Sequence, residues 1–128
     1  HCEHLNNTNT IVVLVDSVKF TITPSSLYIS NKIHKNKPSD GIELTLDVFV
    51  CNYYGTPVLY NKRMKCVGIG SNIVANYIGP KSMIPGRHKL KYILSGICTE
   101  SSFIQFDFIH PNGKIEPISW PDKIKEIE

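Results

Sequence analysis

Hydrolytic chemistry asks for a nucleophile, a base within hydrogen-bond reach, and a group that orients the base. The chain has eleven serines, yet none sits in a Gly-x-Ser-x-Gly elbow; the nearest string, Gly68-Ile69-Gly70-Ser71-Asn72, lacks the second glycine. His88 and His110 stand near opposite ends of two apolar runs, and Asp107 alternates outward, so a His–Asp pair across adjacent strands is the acid–base couple on offer. Exposed cross-strand polar pairs of this kind are commonly surface decoration, and no catalytic residue is assigned. His1, Cys2, Glu3 and His4 bring metal-ligating types together at one end. A terminus frays readily, and Cys2 serves better as a staple there, so no metal site is expected. The glycines of residues 68–70 and 79–86 precede no helical pattern, which removes the phosphate-cradling reading and leaves no cofactor.

The cysteines stand at positions 2, 51, 66 and 98, with no Cys-x-x-Cys pair to make a zinc ribbon or a redox site. An even number at wide spacing suits two structural disulfides and an oxidising compartment, the alternative being four buried free thiols in a cytosolic protein. The sequon Asn6-Asn7-Thr8 is compatible with secretion and makes Asn6 a glycosylation candidate. A tight turn at Tyr53–Pro57 would keep Cys66 out of reach of Cys51, favouring long-range bridges such as Cys2–Cys66 with Cys51–Cys98. Four cysteines permit three pairings, and spacing alone does not choose among them.

At 128 residues the chain is read as one domain, 1–128, whole or as one piece of a larger surface protein. Hydrophobic residues make up 41% and charged residues 20%, the balance of a globular chain rather than a disordered one. No apolar run approaches the roughly 20 residues that cross a bilayer as a helix. The net charge of +3 is carried by lysines that read as scattered, not by arginines and aromatics lined along one face, so nucleic acid is not the expected partner.

Hydrophobic period is two nearly everywhere. Ile42, Leu44, Leu46, Val48 and Val50 fall on one side of a run whose other side is polar until Phe49 and Cys51. Val18, Phe20 and Ile22 alternate with polar neighbours, as do Ile104, Phe106 and Phe108. Pro24, the polar loop at 34–41, Gly55-Thr56-Pro57, the stretch 79–86 and Asn112-Gly113 separate the runs. The apolar runs in 88–98 and 104–114 read as the two arms of a hairpin, and the cationic loop 30–41 as a solvated, mobile insertion. Seven or eight short strands without a long helix predict an all-β fold, an antiparallel two-sheet sandwich of immunoglobulin-like type.

Three stretches carry a resemblance to a known family: Val15–Leu27 (VDSVKFTITPSSL), Gly79–Leu94 (GPKSMIPGRHKLKYIL) and Ser102–Trp120 (SFIQFDFIHPNGKIEPISW). Together they resemble the ML lipid-recognition domains. The resemblance implies a secreted two-sheet sandwich that holds a lipid between its sheets and performs no chemistry. Phe20, Leu46, Leu94, Ile104, Phe106 and Phe108 would line that pocket, although an ordinary closed sandwich needs the same side chains to fill its roughly 10 Å intersheet layer.

The reading that follows is a non-enzymatic, extracellular recognition module serving adhesion, receptor engagement or a structural role at the cell surface, with an ML-type lipid carrier as the alternative. The expected partner is a protein, met through the aromatics Tyr53, Tyr54, Tyr60, Tyr77 and Trp120.

Overall fold

The computed structural model describes residues 17–100 and 104–119. It is all-β, with ten strands: β1 (Val18–Ile22), β2 (Tyr28–Ile29), β3 (Glu43–Asn52), β4 (Val58–Leu59), β5 (Met64–Val67), β6 (Val74–Gly79), β7 (Ser82–Met83), β8 (Gly86–Ser95), β9 (Gln105–Ile109) and β10 (Ile115–Ser119). Among the described residues the only helical turn is Pro24–Ser26, where the predicted proline break falls. Its proline occupies the first helical position, where a missing N–H costs nothing.

Eight strands form one antiparallel sheet in the order β1-β3-β8-β6-β5-β9-β10, with β2 added on β3, while β4 and β7 make a separate two-stranded ribbon. The expected division into two stacked immunoglobulin-like sheets is therefore replaced by one long ladder. A single sheet can enclose a core only by curling, and the aromatic contacts show it doing so. Phe20 of β1 packs on Tyr60 at 5.0 Å between ring centroids, and Tyr60 stacks on Phe108 of β9 at 6.0 Å. Strands near opposite ends of the ladder thus meet over the core, and the two halves of the curl do the work of two layers.

Period two decides which side chains go inside. Leu44, Leu46, Val48 and Val50 of β3 are buried and alternate with Thr45, Asp47, Phe49 and Cys51, which are half-exposed. Ile104, Phe106 and Phe108 enter the same core. Asn112-Gly113 closes the β9–β10 hairpin as its composition predicts: Gly113 takes φ 91°, and the His110 N–H donates to the Lys114 carbonyl at 2.8 Å.

Neighbours were harder to foresee than faces. The expected hairpin between the 88–98 and 104–114 runs does not form, because β8 pairs with β3 and β6 while β9 pairs with β5 and β10. Nor do the strands flanking the Tyr53–Pro57 turn pair with each other, since β4 is taken by β7.

The cationic loop is no loose insertion either. Ile33 and Ser39 are buried, the Asn36 N–H donates to the Cys98 carbonyl at 2.8 Å, and both the Ser39 N–H and hydroxyl donate to Gly96 O at 2.8 Å. Gly96 is required at that junction: φ is 100°, and a Cβ there would sit 2.8 Å from the Asn72 carbonyl oxygen.

Register also overturns the two-disulfide frame. No disulfide joins Cys51, Cys66 and Cys98 to one another. Cys51 lies beside the start of β8 and Cys98 beyond its end, about 40 Å along the strand direction, against a bridging limit of about 7 Å between Cα atoms. Cys66 is three strands from Cys51 and, by the register through β8 and β6, about eleven rows further along, more than about 30 Å away, and it points into the core while Cys51 lies on the other face. Cys98 sits opposite Ser71 and Cys66 opposite Ile73, which separates them by two strands and two rows, about 11 Å. Any pair of bridges among the four cysteines must include one of these three links, so the fold has room for at most a single bridge, made by Cys2. Cys2 and the sequon Asn6 both lie outside the described residues.

Candidate functional site

The ladder phase of β1 creates the feature that stands out. Hydrogen bonds from Tyr53 N–H to Ser17 O (2.7 Å) and from Thr23 N–H to Asp47 O (3.0 Å) fix the odd-numbered residues as those bonded to β3. Alternation then turns the N–H and C=O groups of Val18, Phe20 and Ile22 the other way, to the edge of the sheet, where no strand among the described residues pairs with them. That edge faces a groove of about 630 Å³, whose far wall is the β9–β10 hairpin from His110 to Pro117.

The two walls are not equivalent. On β10 the hydrogen-bonded pairs with β9 are Lys114–His110, Glu116–Phe108 and Ile118–Phe106, so the nitrogen of Pro117 points outward, where it has no hydrogen to offer. Proline on an outward position blunts an edge against strand addition. The β1 wall carries no such block. One wall can accept a strand; the other is closed to it.

Charge and burial shape the rest of the groove. His110 Nε2 lies 2.7 Å from Glu116 Oε1, with the His110 ring edge-on to Phe108 at 4.9 Å. Lys19 and Lys114 stand exposed at the rim. A base held by a carboxylate is half of a hydrolytic arrangement, but the lining residues bring neither serine nor cysteine to His110. The His–Asp pair considered from sequence does not assemble. His88 Nε2 contacts the Ile84 carbonyl at 2.6 Å, and Asp107, three strands away, accepts from Gln105 Nε2 at 2.9 Å. Among the described residues no three His, Cys, Asp or Glu side chains gather as metal ligands, and His1–His4 lie outside them.

Beneath the groove lies an aromatic floor in which two expected contact residues turn out to be structural. Tyr60 is buried and donates its hydroxyl to the Ile109 carbonyl, while half-buried Tyr77 donates to the Pro80 carbonyl. Their amphipathic shape explains this, since a tyrosine buries its ring wherever its hydroxyl finds a carbonyl. Burial raises the Tyr60 phenol well above its ordinary range and pushes Tyr77 up to about 12. Tyr53 is half-buried, Tyr54 is 63% exposed and edge-on to it at 5.0 Å, and Trp120 lies outside the described residues.

The six side chains of the implied lipid pocket do come together. Phe20, Leu46, Leu94, Ile104, Phe106 and Phe108 are all buried in one cluster with Met64, Leu90 and Ile118.

Tyr92 completes the floor, its ring 5.2 Å from that of Tyr77 and its hydroxyl turned toward that of Tyr60. The Tyr92 hydroxyl meets only another buried phenol, so Tyr92→Phe should change stability by less than about 1 kcal/mol. Tyr60→Phe, which orphans the Ile109 carbonyl, should lower it by about 1–2 kcal/mol. Thermal melts of both variants check the contrast; equal losses would mean that the two hydroxyls matter equally to the floor.

Sequence reasoning placed Val18, Phe20 and Ile22 in the apolar face but missed that their backbone forms an edge. The available signal was Pro117 inside a strand pattern, which marks β10 as terminal to its sheet. Comparison of the chain with protein-family models, curated proteins and solved structures finds no match.

Proposed function

We propose that this chain is a non-enzymatic recognition module, acting outside the cell, that captures an extended segment of a protein partner along β1. The observation carrying this reading is the groove in which the backbone groups of Val18, Phe20 and Ile22 face outward beside a wall blunted by Pro117. A strand added there gains main-chain hydrogen bonds for affinity, and side-chain contacts at alternate positions supply selectivity. With roughly 0.5–1.5 kcal/mol net for each of up to six bonds, less the cost of ordering the segment, affinity falls in the micromolar range. The extracellular assignment draws on the Asn6 sequon alone, now that a two-bridge disulfide frame has been removed. The lipid-carrier alternative is disfavoured by the tight common burial of Phe20, Leu46, Leu94, Ile104, Phe106 and Phe108.

The test uses peptides selected from a random twelve-residue display library on the folded protein. Bound peptide should slow amide exchange at Val18, Phe20 and Ile22 by tenfold or more, leaving Lys19 and Thr21, already bonded to β3, little changed. Ile115→Trp, a bulky change at a half-exposed position of the opposite wall, should weaken capture at least tenfold, whereas Tyr54→Ala should not. Peptides that bind without protecting those three amides would sink the proposal. So would slow exchange there before any peptide is added, because the edge would then already be occupied by the chain itself.

A further inference from the structure

All eleven acidic residues lie outside residues 48–99, a stretch that carries Lys62, Arg63, Lys65, Lys81, Arg87, Lys89 and Lys91. The modest net charge of the whole chain hides this segregation. Within the stretch sits the β4–β7 ribbon, where buried Val58 pairs with buried Met83 and Leu59 with Ser82. Alternation sends Leu59 and Ile84 to the opposite, outward side of the ribbon, where they are 80% and 63% exposed.

Three cations lie close to this apolar pair along the chain. Lys62 and Arg63 follow Leu59 by three and four residues, and Arg87 follows Ile84 by three, placing their Cα atoms within about 14 Å of the pair by chain length alone. Lys81, across from inward-facing Tyr60, whose N–H donates to its carbonyl at 3.0 Å, falls in the other phase of the ribbon. The nearby acid Asp47 is already engaged by Lys89 Nζ at 2.9 Å.

We infer that the ribbon docks on an anionic lipid surface, with Leu59 and Ile84 entering the acyl boundary and Lys62, Arg63 and Arg87 meeting headgroup phosphates and carboxylates. This surface is separate from the β1 groove and does not depend on peptide capture there. Two features select a bilayer over other polyanions. A sulfated polysaccharide or a nucleic acid backbone rewards the cations but leaves bare aliphatic side chains in water. A soft bilayer admits protruding aliphatics without a preformed pocket, and long Lys and Arg stems let their charges stay at headgroup level.

The test is co-sedimentation of the protein with phosphatidylcholine vesicles and with vesicles containing 30% phosphatidylserine, at low and high salt. Binding is expected to the anionic vesicles only and to weaken as salt rises. Removing one cation, as in Arg87→Ser, should weaken it about fivefold, the equivalent of about 1 kcal/mol per basic residue. Leu59→Ser with Ile84→Ser should weaken it tenfold or more, and both positions are exposed enough to leave the fold intact. Vesicle binding indifferent to the double serine variant would overturn the inference, leaving only diffuse charge attraction. Retention on heparin or DNA without vesicle binding would overturn it too, as would failure to bind any of these probes.

Discussion

Phe106→Ala is expected to remove about 3–5 kcal/mol of folding stability. Phe106 sits at the middle of β9, paired with Cys66 on one side and Ile118 on the other, and all three are buried in the common core. A phenyl ring surrounded by side chains from three adjacent strands leaves a cavity that such neighbours refill only in part, so the loss exceeds simple transfer of the ring to water. Domains of this size hold a total of about 5–15 kcal/mol, so the variant would sit close to its folding threshold. Urea titration should show the midpoint falling with the slope unchanged.

The same number decides against the lipid-carrier reading or for it. A side chain lining a ligand space has protein on one side only, and its truncation forfeits far less packing. A loss under about 1 kcal/mol would place Phe106 at the wall of a ligand space and revive the carrier. Ile115→Ala, at a half-exposed position of β10, is the internal standard and should stay within about 0.5 kcal/mol of the parent.

Why faces were readable in the sequence and neighbours were not follows from what each depends on. The inward set Leu44, Leu46, Val48 and Val50 is a local property of period two, since a one-residue slip would expose all of it. The partner of a strand is a long-range property, and nothing in 88–98 says that both edges of β8 will be taken before β9 arrives. Loop 30–41 misled for a related reason. Its lysines are exposed as expected, but Ile33 is buried and Ser39 is pinned by the Gly96 junction, which is distant in sequence. Tyr60 and Tyr77 fit either a contact surface or a core, and only the carbonyls of Ile109 and Pro80 chose the core. The groove escaped notice because it is made of backbone groups, which every sequence possesses; their outward phase depends on register with β3.

The second large effect is alkaline: stability should collapse between pH 9 and 11. Burial pushes the Cys66 thiol from an ordinary 9.0 up to about 12, only partly offset by its hydrogen bond from Ser71, and with the neighbouring Cys98 and Asp107 raising it further. Burial likewise holds the Tyr60 and Tyr92 phenols well above their ordinary 10.0 and moves Tyr77 up to about 12. In the fold these groups keep their protons at pH values where the unfolded chain releases them. The unfolded state then binds fewer protons, and stability declines as pH rises. The contribution is fully present below the ordinary values and lost above them, beginning near pH 9 with Cys66 and steepening past pH 10 with the tyrosines. At pH 10.5 linkage amounts to about 2 kcal/mol for the thiol and about 1 kcal/mol for each of the Tyr60 and Tyr92 phenols, on the order of 4 kcal/mol together, with solvent screening leaving less from half-buried Tyr77. The tyrosinate absorbance of Tyr60, Tyr77 and Tyr92, isolated by Tyr→Phe variants, should therefore appear together with loss of β-sheet circular dichroism and not before it. Cys66→Ala should move the onset from about pH 9 to about pH 10, whatever it does to stability at neutrality. Ionisation of Tyr60 or Tyr92 near its ordinary value in a chain that stays folded would mean that water reaches the aromatic floor, and with it the core on which both the groove and the ribbon are mounted.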